Sequence, residues 1–139
     1  MQPLPSKSRT RMEYLFLLSR IIFGGYWIWG GINHFRQGTM MEPYAASKGV
    51  PFPKLAVYGS GVLIFLGGLG ILLGVYIPLS VAALVVFLVP VTLMMHNFWT
   101  VSDLNMKMND MIMFSKNVAL LGASLAYIFI PTPWPLSLF

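Results

Sequence analysis

Residues 55–95 read LAVYGSGVLIFLGGLGILLGVYIPLSVAALVVFLVPVTLMM and contain no charged side chain. A helix that crosses the hydrocarbon core of a bilayer needs about 20 consecutive apolar residues, so this stretch is long enough for two spans. Gly74 and Pro78 bracket a very short break between them. The stretch therefore predicts two transmembrane helices, over residues 55–74 and 78–98, joined as a tight antiparallel hairpin.

Two further apolar segments flank this hairpin, over residues 14–34 and 110–130. Each has one charged residue well inside it, Arg20 in the first and Lys116 in the second. The whole chain is 57% hydrophobic and 9% charged, whereas a soluble domain carries about 25% charged residues. So few charges cannot cover a water-exposed surface. The sequence predicts an all-α polytopic membrane protein, a single domain over residues 1–139 built as a four-helix transmembrane bundle.

The net charge is +5, and three basic residues precede the first apolar segment: Lys7, Arg9 and Arg11. Basic residues beside a transmembrane segment favour the cytoplasmic side, so we expect both termini in the cytoplasm. The basic residues form no long patch, so we expect no nucleic-acid partner. The first apolar segment is longer than the core of a cleaved signal peptide and has no A-x-A-like site after it, so we expect it to be retained.

The connecting segments contain the residues that interrupt helices. GVPFP at residues 49–53 cannot continue a helix, because proline has no N–H and restricts the residue before it. Residues 40–48 can form a short interfacial helix, and residues 99–109 are predicted as a second polar loop on the same side of the membrane. Small residues recur within the helices, including the GxxxG pair at 70 and 74. They predict close helix packing inside the bundle, with contact to another subunit as the alternative.

Polar residues inside the apolar segments are the candidates for function, because they are costly in lipid. On the first helix, a stripe recurs at intervals of seven and consists of Glu13, Arg20, Trp27 and His34. The antiparallel order brings the ends of the first and third predicted spans (14–34 and 78–98) and the start of the fourth (110–130) to one level. The candidate ligand-binding residues are Arg20, His34, His96, Asn97, Trp99, Lys116 and Asn117. All except Arg20 are expected at that level, and Arg20 lies roughly 20 Å away along helix 1.

The charged residues within the spans each have a structural explanation beside the functional one. A charge at the centre of a membrane costs at least ~2.5–3.5 kcal/mol on insertion scales, so it is usually paired or faces a cavity. Lys116 could pair with Asp103 or Asp110, or extend to the membrane surface. Arg20 could pair with Glu13 or extend in the same way. Both explanations remain open.

His34 and His96, at matching depth, suggest a bis-histidine haem or part of a metal site. A haem needs a cavity and a metal needs more ligands, so we expect neither. Cysteine is absent, which excludes disulfides, thiol chemistry and thiolate-bound metals. A kink at Pro90 is expected to open space in the bundle. The His, Asn, Lys and Trp side chains around such a space suit hydrogen bonding to a quinone carbonyl, with the methionines of residues 106–113 as an adaptable wall.

Five ordered segments together resemble the DoxX family: GGINHF at 30–35, GVPFP at 49–53, GGLGILLG at 67–74, HNFW at 96–99 and KNVALLGA at 116–123. The resemblance implies a four-helix, multi-pass protein of the bacterial inner membrane. Some members of the family are small subunits of a thiosulfate:quinone oxidoreductase, and others belong to further membrane-associated oxidoreductase complexes. Distant relatives act in cargo export or receptor assembly. The resemblance implies no defined catalytic set.

Two functions follow as hypotheses. In the first, the chain is a membrane subunit of a redox complex and binds quinone near one end of the bundle. In the second, it is a non-catalytic structural or assembly subunit of a larger membrane complex. Both imply membrane lipids and other membrane protein subunits as partners. A transporter needs a charged pathway across the membrane, and Arg20 and Lys116 are too far apart to form one.

Overall fold

The computed structural model of the chain describes residues 6–139. Five α-helices follow one another: α1 Ser6–Arg36, α2 Gly38–Ser47, α3 Pro53–Leu73, α4 Ile77–Met95 and α5 Leu104–Ala126. Single 3₁₀ turns lie at Phe98–Thr100 and Tyr127–Phe129. Within residues 6–139, the helices α1, α3, α4 and α5 are long and apolar enough to cross a membrane. The predicted fold class, all-helical with four membrane spans, is confirmed, and the orientation of the termini stays a prediction.

The helix boundaries differ from those predicted. α1 starts at Ser6, well before the apolar segment, and α4 ends at Met95. α5 begins at Leu104, because the Asp103 carboxylate accepts a hydrogen bond of 2.9 Å from the Met106 N–H and so caps the first turn. Most of the loop predicted over residues 99–109 is therefore helix. The short helix expected over residues 40–48 is present as α2.

The α3–α4 hairpin turns within residues 74–76. Gly74 ends α3 with a φ of +74°, and its N–H donates to the Gly70 carbonyl oxygen at 2.9 Å. Glycine takes this left-handed conformation without crowding, because it has no Cβ. Pro78 stands in the first turn of α4, where a missing N–H costs no helical hydrogen bond. The tight hairpin expected from the sequence is thus present.

Glycines allow α1 to pack closely along α3. A Cβ atom on Gly24 would lie 2.6 Å from the Gly68 carbonyl oxygen, and one on Gly31 would lie 2.7 Å from that of Gly61. Larger residues at these positions would push the two helices apart. Close backbone approach of this kind drives helix pairing in lipid, where burial of leucine does not. The small residues of α1 and α3 therefore pack inside the bundle as expected at these positions, whereas a Cβ on Gly25 or Gly122 would meet no atom within 4 Å.

α3 is the central helix, with α1 on one side and α4 on the other. α5 packs on α4, and α2 lies against α3. The buried core between the helices includes Trp27, Ile64, Ile71, Leu84 and Leu88. Because α3 and α4 are antiparallel, the end of α3 and the end of α4 lie at opposite ends of the bundle. These two ends carry the buried charges.

Candidate functional site

Arg20 is fully buried where α3 stops, and we call this the Arg20 end of the bundle. Its guanidinium donates to the carbonyl oxygens of Ile71 at 3.2 Å and Leu72 at 2.7 Å. The last carbonyls of a helix have no partner within the helix, so the arginine caps α3. The expected pairing of Arg20 with Glu13 is wrong, because Glu13 accepts a hydrogen bond from Arg9 at 3.3 Å.

The tail after α5 supplies the other partners of Arg20. The guanidinium donates to the Pro135 carbonyl oxygen at 2.7 Å and lies over the Trp134 ring, 5.6 Å from its centroid. Trp134 is buried, and its indole N–H donates to the Ile130 carbonyl oxygen at 3.3 Å. Every acceptor of Arg20 within residues 6–139 is a backbone carbonyl. Arg20 therefore closes this end of the bundle and stands apart from the other predicted site residues.

Four polar side chains from three parts of the chain meet where α4 ends: Lys48, His96, Asn97 and Asp110. Lys48 follows α2, His96 and Asn97 follow α4, and Asp110 lies in the second turn of α5. Lys48 Nζ donates to Asp110 Oδ2 at 3.0 Å and to Asn97 Oδ1 at 3.1 Å. The other carboxylate oxygen, Oδ1, lies 3.3 Å from His96 Nδ1. We call these residues the polar cluster, and their side of the molecule the His96 end.

Asp110 is the centre of the polar cluster, with a side chain only 5% exposed. A buried carboxylate needs an opposite charge and hydrogen-bond donors, which Lys48 and His96 supply. The partner expected from the sequence, Lys116, does not reach it, and its amine lies 3.3 Å from Met113 Sδ. Nothing in the local sequence of Lys48 indicates its role, because that role depends on how the whole connection between α1 and α3 folds back over α4 and α5.

A cavity of about 720 Å³ lies beside the polar cluster. Side chains of α1, α2, α3 and α4 form most of its wall, and Lys116 and Asn117 contribute from α5. Among the residues proposed from the sequence, His34 and His96 also lie on this wall. Pro90 lies there too, at the place where a helix-interior proline was expected to open space. The helix order thus brings four of the proposed site residues around one space.

The remaining proposed residues lie away from the cavity wall. Asn97 belongs to the polar cluster. Trp99 is 54% exposed, and its ring packs edge-on against Phe98 and Phe114 at centroid distances of 5.3 and 5.9 Å. Arg20 is at the other end of the bundle. The seven proposed residues therefore do not form one site. Four line the cavity, whereas Asn97 lies in the polar cluster, Trp99 lies on the surface and Arg20 caps α3.

α2 covers part of the cavity, with Met41, Tyr44 and Ala45 on the wall. Lys48 directly follows this helix, and its hydrogen bonds to Asp110 and Asn97 fix the end of α2 against α4 and α5. The polar cluster thereby holds one wall of the cavity in place.

Phe87 bridges α4 and α1 on the cavity wall. Its ring lies edge-on to His34 and to Trp27, at centroid distances of 5.8 and 6.0 Å. Trp27 also lines the cavity, and its buried indole N–H has no hydrogen-bond partner within residues 6–139. A buried donor without a partner costs about 1–3 kcal/mol.

The DoxX family model matches residues 15–97. The chain belongs to the DoxX family. Comparison with curated proteins and with solved structures gave no match.

The DoxX match covers the parts of α1, α3 and α4 that form the cavity wall, and it includes His34, His96 and Asn97. Asp110, which completes the polar cluster from α5, lies beyond the matched residues. In the described part of this DoxX protein, no three His, Cys, Asp or Glu side chains gather closely enough to hold a metal ion.

Proposed function

We propose that this DoxX protein is a multi-pass subunit of a redox complex in the bacterial inner membrane and that it binds a quinone in the cavity beside the polar cluster. The cavity itself carries the proposal. Its volume of about 720 Å³ falls within the roughly 300–1,000 Å³ of small-molecule sites. Its wall is mainly apolar, with polar groups that include those of His34, His96, Lys116 and Asn117. A quinone combines the matching features, an apolar tail and a flat ring with two oxygens.

Other side chains on the wall suit the faces of such a ring. Phe87, Met94 and Met95 line the cavity. Aromatic rings pack against other rings with defined geometry, and methionine adapts its flexible, polarizable side chain to them. The Trp27 N–H is buried and unpartnered, and a small turn of its ring would let it donate to a ring oxygen.

Electron delivery belongs to other subunits in this proposal. The chain has no cysteine and so no thiolate to hold an iron–sulfur cluster. A quinone carries electrons to or from a donor that the quinone-binding subunit need not contain. Membrane protein subunits that bear the electron donor are therefore the proposed partners, and lipid surrounds the rest of the bundle.

Purification from the native membrane, with extraction of quinones and mass spectrometry of co-purifying proteins, tests the proposal. Gly59→Leu and Gly25→Leu make a matched pair, because both glycines are helical and an added Cβ meets no atom within 4 Å at either position. Only Gly59 lines the cavity. We expect the wild type and Gly25→Leu to retain quinone, and Gly59→Leu to lose most of it, because leucine would occupy the quinone's space.

Equal retention by the two variants would contradict binding in this cavity. Wild-type protein that assembles with its partners but carries no quinone would contradict the proposal as a whole. It would favour the structural or assembly role, in which the polar cluster serves only to join α2, α4 and α5.

A further inference from the structure

The two histidines on the cavity wall use the same ring nitrogen for contacts within the protein. His34 Nδ1 lies 2.8 Å from the Gly30 carbonyl oxygen, one turn earlier in α1. A carbonyl oxygen only accepts hydrogen bonds, so Nδ1 of His34 must carry the hydrogen. In the neutral ring, Nε2 is then an acceptor with a free lone pair, and it has no partner within residues 6–139.

In His96, Nδ1 is also the donating nitrogen, but its partner is a carboxylate. Its Nδ1 faces the Asp110 carboxylate at 3.3 Å, so this nitrogen is again the donor. Lys48 already balances the charge of Asp110 through the 3.0 Å ion pair, and the cluster is neutral when the imidazole is neutral. With a neutral imidazole, Nε2 of His96 is a second acceptor, without a partner in the described chain.

Two acceptors on the cavity wall discriminate between the oxidation states of a quinone. The oxygens of the oxidised form are carbonyls, which cannot donate to Nε2. The oxygens of the reduced form are hydroxyls, which donate to Nε2 and still accept from another group. The Trp27 N–H can donate to either form, so it supports binding without selecting between them.

We infer that the cavity binds the reduced, hydroquinone form more tightly than the quinone, with Nε2 of His34 and His96 accepting hydrogen bonds from its hydroxyl groups. This inference rests on the proposed function, since it takes the cavity to be a quinone site. One hydrogen bond made to the hydroquinone and lost with the quinone corresponds to about tenfold in affinity.

Binding of decylubiquinone and decylubiquinol, the latter kept reduced without oxygen, is measured on the intact protein in nanodiscs. We expect wild-type protein to bind the quinol at least about tenfold more tightly than the quinone. In His34→Gln/His96→Gln, each glutamine amide offers both a donor and an acceptor, so the preference should fall to within roughly twofold. Lys107→Gln, away from the cavity wall, is the control and should keep the wild-type ratio.

The possible results distinguish the preference for hydroquinone from the proposed binding of quinone itself. Equal affinity for the two probes, or tighter binding of the quinone, in the wild type overturns the inference and leaves the proposed function standing. Binding of neither probe overturns both. A wild-type preference that persists unchanged in the double variant also overturns the inference, because the selectivity then comes from other groups. If the double variant does not fold, His34→Gln alone should still reduce the ratio.

Discussion

Both ends of the bundle bury a charged residue, yet they satisfy it in different ways. At the Arg20 end, the partners are backbone carbonyls of α3 and of the C-terminal tail, and no side chain of the described residues forms a salt bridge with the guanidinium. At the His96 end, the partners are side chains from three separate elements, and hydrogen-bonding atoms are left over beside a cavity. A buried polar group whose hydrogen-bond partners all come from the protein stabilises the fold. Incomplete partners beside an open space are the features on which the proposed quinone site rests.

Removal of the Arg20 side chain should have the largest effect on stability. Arg20→Met leaves the terminal carbonyls of α3 and the Pro135 carbonyl without their donor. Several charge-assisted hydrogen bonds are lost, so we expect a loss of about 3 kcal/mol or more, which lowers the Tm in detergent by roughly 10 °C.

Arg36→Met is the control for this change, because Arg36 lies on the same helix. Within residues 6–139, the guanidinium of Arg36 contacts only the face of the Trp29 ring. The Tm of both variants is read from intrinsic fluorescence. A Tm of Arg20→Met within 2 °C of the control, on the scale where about 1 kcal/mol moves Tm by 2–8 °C, would contradict the assignment of Arg20 as the cap of this end.

The ion pair of the polar cluster should give a smaller effect, and one that a second substitution reverses. Lys48→Met leaves the Asp110 carboxylate buried with only His96 beside it. Because the Lys48 side chain is 13% exposed, the loss should be at most about 3 kcal/mol. Lys48→Met/Asp110→Leu removes both charges, and an apolar pair of similar size is often neutral or stabilising. We therefore expect the Tm to fall in the single variant and to recover in the double variant.

Thermal unfolding of the two single variants and the double variant gives the coupling energy directly. If the effects of Lys48→Met and Asp110→Leu simply add, the pair does not join α2 to α5 energetically. In that case, the side-chain partners at the His96 end would not stabilise the bundle in the way that their hydrogen bonds indicate.

The sequence predicted the spans and the placement of the two histidines around one space, because both depend on regular features. Hydropathy identifies helices of membrane length, and antiparallel order then fixes which helix ends share a level. The positions of Lys48 and Pro135 follow neither rule, since they lie on connections whose path is set by tertiary contacts. The start of α5 had a local signal, Asp103 ahead of Leu104, but the polar residues that follow made the segment resemble a loop.

The smallest predicted effect concerns a single donor. Trp27→Phe removes the unpartnered indole N–H while it keeps an aromatic ring on the cavity wall. We expect the affinity for decylubiquinone to fall about threefold to tenfold, the range for one neutral hydrogen bond. Trp99→Phe is the matched control, because Trp99 lies outside the cavity wall, and its affinity should match that of the wild type. Equal affinities of the two variants would assign Trp27 to packing alone.

The hydrogen bond between Arg20 and Pro135 joins positions 115 residues apart. During synthesis, α1 therefore enters the membrane with its arginine long before the acceptor in the tail exists. Until the tail arrives, a nascent or truncated chain presents an incompletely satisfied cation to lipid or to the insertion machinery. The Pro135 carbonyl can therefore accept from Arg20 only after all four long helices have been synthesised.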